Sequence, residues 1–185
     1  MILTQKPLQE MADPSVVKKL YEAAFPKEER LPWLLLRGLA ACRRLQVDCY
    51  LVNDAFCGFT IAARTESVMY VLFFAVAQEM RGMGWGSAIL QLLRHSQGGK
   101  PLGLCVEPPD AGAENAAQRA ERLRFYEHNG LVQTGYEIDE VGGTFLFLSD
   151  GEMDVPAYNR LFRKLSLGLW RPAIRRMKHD QRSDA

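Results

Sequence analysis

The residues best suited to chemistry sit in Arg81-Gly82-Met83-Gly84-Trp85-Gly86-Ser87, between an apolar run, 68–77, and an amphipathic run that starts at Ala88. Glycines at alternate positions let a backbone take a positive φ or come close to another body. A helix N-terminus carries unpaired N–H groups and a partial positive charge, so amides there hold an anion. Arg81 adds a full charge beside them. Three readings fit. One is a plain strand-to-helix turn. A second is a dinucleotide loop, but Gly82-x-Gly84-x-x-Ser87 lacks its third glycine, and the surrounding pattern is not repeated parallel βαβ. A phosphate loop of the Gly-Lys-Ser/Thr kind is excluded, since no such triplet follows. The third is a cradle for a pyrophosphate, which side chains at Gly82, Gly84 and Gly86 would obstruct.

Such a turn needs a strand before it and a helix after it. The run 68–77 is uniformly hydrophobic and reads as a central strand buried on both faces. Trp85, Ala88, Ile89, Leu92 and Leu93 mark one face of a helix that Gly98-Gly99 ends. Upstream, 2–4 reads as a short strand, and Asp13-Pro14 opens an amphipathic helix over 14–25. Pro32 opens a second helix to about Arg44. Runs 46–52 and 56–63 flank Asn53-Asp54-Ala55, a hairpin signal. Downstream, 101–107 reads as a strand, 115–129 as a polar helix, 131–139 and 143–149 as a second hairpin, and 156–169 as a last helix capped by Asp154. This order, β-α-α-β-β-β-α-β-α-β-β-α, predicts a mixed sheet with helices on its faces.

The chain has 185 residues, is 48% hydrophobic and 24% charged, and carries a net charge of +1, which suits one soluble domain and gives no bulk reason to expect nucleic acid or membrane. No signal-peptide pattern is visible in Met1–Glu10, and 68–77 is about half the length of a membrane span. Cys42, Cys49, Cys57 and Cys105 show no CxxC spacing and read as reduced, so the expected compartment is the cytoplasm. With His95, His128 and His179 they form no ligand-like pattern, so no metal is expected.

Arg81-x-x-Gly84-x-Gly86, preceded by a strand ending Ala75-Val76-Ala77, resembles the acetyl-CoA-binding motif of the GNAT superfamily of N-acetyltransferases. Phe125-Tyr126-Glu127-His128-Asn129-Gly130-Leu131 resembles the superfamily's second motif, and the element order is similar from residue 2 to residue 149. The resemblance implies an α+β fold: a mixed, mostly antiparallel sheet of about six or seven strands with helices on both faces. The resemblance covers a domain over 1–150, beyond which the residues themselves read as a C-terminal helix over 151–170 packed on that domain or on a dimer mate and a basic tail over 171–185 that is a candidate for disorder. It also implies acetyl-CoA as donor, coenzyme A as product, and a small-molecule or peptide amine as acceptor, in a monomer or homodimer.

Residue by residue, the resemblance places Arg81, Gly82, Met83, Gly84, Trp85, Gly86 and Ser87 at the pyrophosphate. It places main-chain groups around Phe74, Ala75 and Val76 at the thioester, where the fourth strand splays from the fifth. Where members often carry an asparagine beside the pantetheine arm, this chain has Arg119; Asn115, one helical turn earlier, is the expected contact. Tyr126 matches the acid that protonates the departing sulfur; a thiol sits near pKa 8.5 and a tyrosine near about 10. The acceptor amine, near about 10.4, must lose a proton. Glu107, at the end of the fifth strand, is the first candidate base, with Glu28 and Glu29 as alternatives. Those two and Trp33 lie in a loop that commonly borders the acceptor in this fold.

From Arg160 onward, eight Lys or Arg face two Asp. Tyr158, Leu161, Phe162, Leu165 and Trp170 supply an apolar stripe, expected to pack on the domain or a dimer mate rather than on membrane or nucleic acid. Two rivals stand beside the enzyme: a non-catalytic acyl-CoA-binding or interaction module on the same fold, and a docking protein working through its basic tail.

Overall fold

The computed structural model describes residues 1–96, 98–140, 143–166, 168 and 172–177. Its elements run β1 (Leu3–Pro7), α1 (Ser15–Ala24), α2 (Trp33–Ala41), β2 (Gln46–Val52), β3 (Ala55–Arg64), β4 (Met69–Val76), α3 (Trp85–Ser96), β5 (Leu102–Val106), α4 (Ala116–His128), β6 (Val132–Glu140), β7 (Gly143–Ser149), α5 (Val155–Leu165) and β8 (Ala173–Arg176). The strands form one sheet in the order β1-β2-β3-β4-β5-β7-β6-β8. Every neighbouring pair is antiparallel except β4 with β5, whose parallel pairing follows from the crossover through α3.

Local chemistry explains several boundaries. Asn53 and Asp54 take φ of 48° and 67°, the left-handed pair that a tight β2–β3 hairpin needs and that Asn and Asp tolerate. Asp154 caps α5, its Oδ1 accepting from Ala157 N–H at 2.8 Å. That helix ends at Leu165, earlier than the pattern suggested.

The sheet has eight strands, one more than expected. The added strand is β8, which lies in the segment read as a tail. It pairs with β6 from Tyr136↔Arg176 to Asp139↔Ala173, and Arg175 reaches Asp139 at 2.8 Å. Ala173-Ile174-Arg175-Arg176, too short to read as a strand, is stabilised there by an existing sheet edge. Leu169 and Trp170, expected at the end of the last helical segment, and Arg171 and 178–185 of the expected tail lie outside the described residues.

Helices cover both faces. One core cluster joins α1, α2 and α5 to the sheet through Val17, Tyr21, Leu36, Leu39, Tyr158 and Leu161. The other joins α3 and α4 through Ile89, Leu90, Leu93, Leu123 and Tyr126. Among the described residues, no helix is long and apolar enough to cross a membrane, and no group of three or more His, Cys, Asp or Glu is placed to hold a metal ion.

Candidate active site

β4 and β5 pair only over Met69↔Leu102, Tyr70↔Gly103 and Val71↔Leu104, and then part. The cause is visible in β4. Its register with β3 slips between Ile61 and Ala62, leaving Leu72 as the extra residue of a bulge. Leu72 and Phe73 consequently both pack toward the α1–α2–α5 cluster, whereas Phe74 and Val76 pack toward α3 and α4. Leu72, Phe73, Phe74 and Val76 are only partly buried although apolar, so the far half of β4 lines an open fork instead of being covered on both faces as its sequence suggested.

The fork also exposes main chain. Ala77 N–H donates to Cys57 O at 2.8 Å, so β4 still faces β3 at that position. Strand alternation then turns the amides of Ala75 toward β3 and those of Phe74 and Val76 toward the gap. Of the three residues expected at a thioester, two thus present backbone to the fork. The carbonyl of Val76 is taken by Arg81 Nε at 3.0 Å, which folds that guanidinium back over the strand end.

Beyond β4 a single 3₁₀ turn, Gln78–Met80, leads into the glycines. Gly82 and Gly84 have φ of 74° and 80°, and nothing lies within 4 Å of a Cβ added at either. Glycine is required there by conformation, and the space beside it is open. The first α3 bond runs from Ala88 N–H to Gly84 O at 3.1 Å, so the amides of Trp85, Gly86 and Ser87 precede the helix ladder and have no acceptor among the described residues. Met83 is exposed and Ser87 half-buried. The Trp85 indole N–H is buried and has no acceptor among the described residues, a further donor at this end of α3. Gly86 is different from the reading given to it. A Cβ there would stand 3.0 Å from Phe125 Cζ, so its bareness lets α3 close on α4 instead of admitting a phosphate.

On α4, Phe125 meets Phe74 across the fork at a ring distance of 6.3 Å and Tyr126 at 5.1 Å. Tyr126 is buried, and burial pushes its hydroxyl up to about 12, against a small downward pull from Arg122. Among the described residues that hydroxyl makes no hydrogen bond, so it is a protonated donor with nothing yet to donate to.

Glu107, just past β5, does not stand as a free base. Its two oxygens are engaged by Arg119 Nη2 and Arg122 Nη1, each at 2.8 Å. Asn115 is drawn into the same set: its Nδ2 donates to Glu107 at 3.5 Å and its Oδ1 accepts from Arg119 Nε at 2.7 Å. The expected base and the expected pantetheine contact are therefore parts of one ionic clamp holding α4 to the end of β5. The reason is the helical spacing of Asn115, Arg119 and Arg122, which aims all three at one carboxylate.

On the opposite face, the α1–α2 loop is fixed by Tyr21, whose hydroxyl accepts from Leu31 N–H at 2.8 Å. Trp33 packs on Tyr21 at 6.1 Å, within the core cluster rather than free in a pocket. Glu28 is exposed. Glu29 is half-buried, and desolvation, with the like charges of Glu107, Glu140 and Glu28, raises its pKa against the pull of Arg122. Glu29 is thus within electrostatic reach of Glu107 and Glu140.

The same face holds residues that sequence reasoning missed. The Tyr158 hydroxyl donates to Glu140 Oε1. Cys105 Sγ lies 3.8 Å from that oxygen and 3.6 Å from the tyrosine. Glu140 stands at a hairpin end, where an acidic residue reads as a solvated turn, and Tyr158 was absorbed into the apolar stripe of α5. No local signal marked their convergence, which depends on the β6–β7 hairpin and α5 meeting beside β5.

The sequence matches no family model and no curated protein. Solved structures do match. A GNAT-family acetyltransferase from Bacteroides thetaiotaomicron superposes with a TM-score of 0.67 at 19% identity, covering 92% of this chain and 100% of its own. Naa50 of Arabidopsis thaliana, solved with the bisubstrate analogue CoA-Ac-MVNAL, gives 0.57 at 15%, covering 80% and 98%. An aminoglycoside 6'-N-acetyltransferase complexed with coenzyme A gives 0.58 at 15%, covering 80% and 96%. The fold is that of the GNAT acetyltransferases.

Proposed function

We propose that the protein is an N-acetyltransferase that moves an acetyl group from acetyl-CoA to a primary amine by direct attack in a ternary complex. The observation that carries this reading is the fork between β4 and β5, flanked by the positive-φ glycine turn at the start of α3. An empty space beside Gly82 and Gly84, together with the orphan amides of Trp85, Gly86 and Ser87, suits a pyrophosphate. Two solved proteins of this fold hold coenzyme A or an analogue of it, and their acceptors are a peptide and an aminoglycoside, both of them amines.

The bound donor supplies an activated acyl group, a thioester carbonyl with a thiolate leaving group. The chain's own residues do the rest. Phe74 and Val76 amides face the gap and donate to the oxygen that gains charge. Tyr126 stays protonated at neutral pH and offers its O–H to the sulfur. A phenol at about 12 is a weaker acid than a thiol in water, near about 8.5, so full transfer requires that the dry site penalise the thiolate at least as strongly, whereas a hydrogen bond from the O–H to the developing thiolate carries no such requirement. Glu29, beside the fork and half-buried, suits contact with a cationic acceptor.

Titration calorimetry with acetyl-CoA, followed by release of the coenzyme A thiol across a panel of primary amines, tests the reading. Saturable binding and turnover on at least one amine are expected. No binding at millimolar acetyl-CoA refutes it. Binding without turnover on any amine marks instead a non-catalytic acyl-CoA-binding module, a reading favoured by the engagement of Glu107 with two arginines.

A further inference from the structure

We propose that Glu140 is the residue that takes the proton from the acceptor amine, with Tyr158 and Cys105 as the residues that position its carboxylate. This rests on the acetyltransferase reading above. The last paired step of β4 and β5 is Val71↔Leu104, so Cys105 is the first residue of β5 past the point where the strands part. Its side chain packs on the α1–α2–α5 face, opposite Leu104 and opposite the glycine turn. Glu140 Oε1 lies 3.8 Å from Cys105 Sγ and accepts from Tyr158. The carboxylate therefore sits at the crotch of the fork, on the face away from α3 and α4. Two donors hold Oε1. Oε2 has no hydrogen-bond partner among the described residues, and the residue is partly exposed, so one oxygen is free to meet an N–H.

Glu107 lies at the same end of β5 but has guanidinium donors on both oxygens, which makes Glu140 the better proton acceptor. The charges around Glu140 are specific. Burial raises its pKa, whereas hydrogen bonds from Tyr158 on α5 and Cys105 on β5 lower it. Glu29, from the α1–α2 loop, is a further like charge within electrostatic reach. The raised carboxyl stands closer to an ammonium than an ordinary glutamate does, and that narrows the gap for proton transfer.

The step balances as follows. An ammonium has three N–H bonds and the amide keeps one. Glu140 takes the first proton, and the freed nitrogen lone pair forms the N–C bond while the carbonyl π pair moves to oxygen. The oxygen pair returns, the C–S bond breaks, and the sulfur keeps its electrons. The second proton leaves the adduct nitrogen to water in the open fork, Tyr126 gives its own proton to the sulfur, and water returns one to the Tyr126 oxygen. Glu140 releases its proton to water.

The test uses the full chain, acetyl-CoA and a fixed amine panel: an alanyl dipeptide, tyramine, spermidine and kanamycin. Thiol release is followed from pH 5.5 to 9.5 and acetyl-CoA affinity is measured separately. For E140Q, kcat/KM is expected to fall about a hundredfold or more at pH 7, with acetyl-CoA affinity within about twofold of wild type. The deficit should shrink as pH rises and free amine appears in solution. Tyr158→Phe removes a hydrogen bond that lowers the Glu140 pKa, so its acid limb should move to higher pH, a shift that a merely structural role does not produce. Turnover of E140Q within about threefold of wild type overturns the proposal and leaves the acetyltransferase reading standing. So does a Tyr158→Phe acid limb identical to wild type, which would make Glu140 a wall of the pocket. A wild-type chain that binds acetyl-CoA yet acetylates none of the amines overturns both.

Discussion

Replacing Gly84 with alanine separates the two jobs assigned to the glycine turn. At a φ of 80° an L side chain costs about 1–2 kcal/mol. Reduced freedom of the unfolded chain returns about 0.4–1 kcal/mol. No atom lies within 4 Å of the added methyl, so no steric cost adds to these. The net destabilisation is about 1 kcal/mol, and the melting temperature should fall by about 2–4 °C. Binding should suffer more, because the methyl occupies the space a phosphate needs. A loss of at least tenfold in acetyl-CoA affinity, about 1.4 kcal/mol, is expected by calorimetry. Acetyl-pantetheine, which carries the same thioester and no pyrophosphate, should bind variant and wild type alike. Gly86→Ala is the control. Its methyl meets the Phe125 ring at 3.0 Å, so both ligands should weaken together as α4 shifts. Equal acetyl-CoA affinity in Gly84→Ala and wild type, or an equal loss for acetyl-pantetheine, refutes the cradle and returns the glycines to a plain turn.

Tyr126→Phe should lower turnover at least about tenfold while acetyl-CoA affinity stays within about twofold; matching losses of both refute the acid role. Glu107→Gln should destabilise the α4–β5 clamp by about 1 kcal/mol, with a loss of turnover below about tenfold and an unchanged acid limb of the pH profile. Disappearance of that limb would restore Glu107 as the base. Asp154→Ala removes the α5 cap together with the 3.0 Å bond from Ser67, and should cost about 1 kcal/mol, read as a lower melting temperature; an unchanged melt contradicts the cap's contribution.

The element order was legible because each boundary is enforced by a neighbouring residue: Asn53-Asp54 at a hairpin, Asp154 before a helix, Gly130 after one. Gly82 and Gly84 were legible for the same reason, since a positive φ restricts residue type. The role of Gly86 was not, because its constraint is Phe125, distant in sequence. The bulge at Leu72 was hidden as well. An all-apolar strand has no alternation for a slip to interrupt, so 68–77 read as covered throughout. Asn115, Arg119 and Glu107 each looked like a separate site residue, and only the approach of α4 to the end of β5 makes them one clamp. β8 was hidden because four residues are too few for a pattern, and the sheet edge that stabilises them is made elsewhere.

The fork carries a physical demand of its own. Where β5 leaves, β4 keeps amides and carbonyls turned toward a space lined by Phe74, Val76 and Phe125. A buried polar group without a partner costs about 1–3 kcal/mol. Val76 O meets this through Arg81, but the remaining main-chain groups need a guest able to bond like a strand. An extended molecule with amide groups and an anionic tail meets both the open edge and the orphan amides of α3. On the proposed reading the donor's place would thus be formed by backbone, which is why motifs that act through glycine point to it. On the same reading, the acceptor's place would be formed by side chains from the α1–α2 loop, β5, β6 and α5. Nothing in backbone conformation requires Glu29, Cys105, Glu140 or Tyr158 to be what they are. Their identities can therefore change without disturbing the fork.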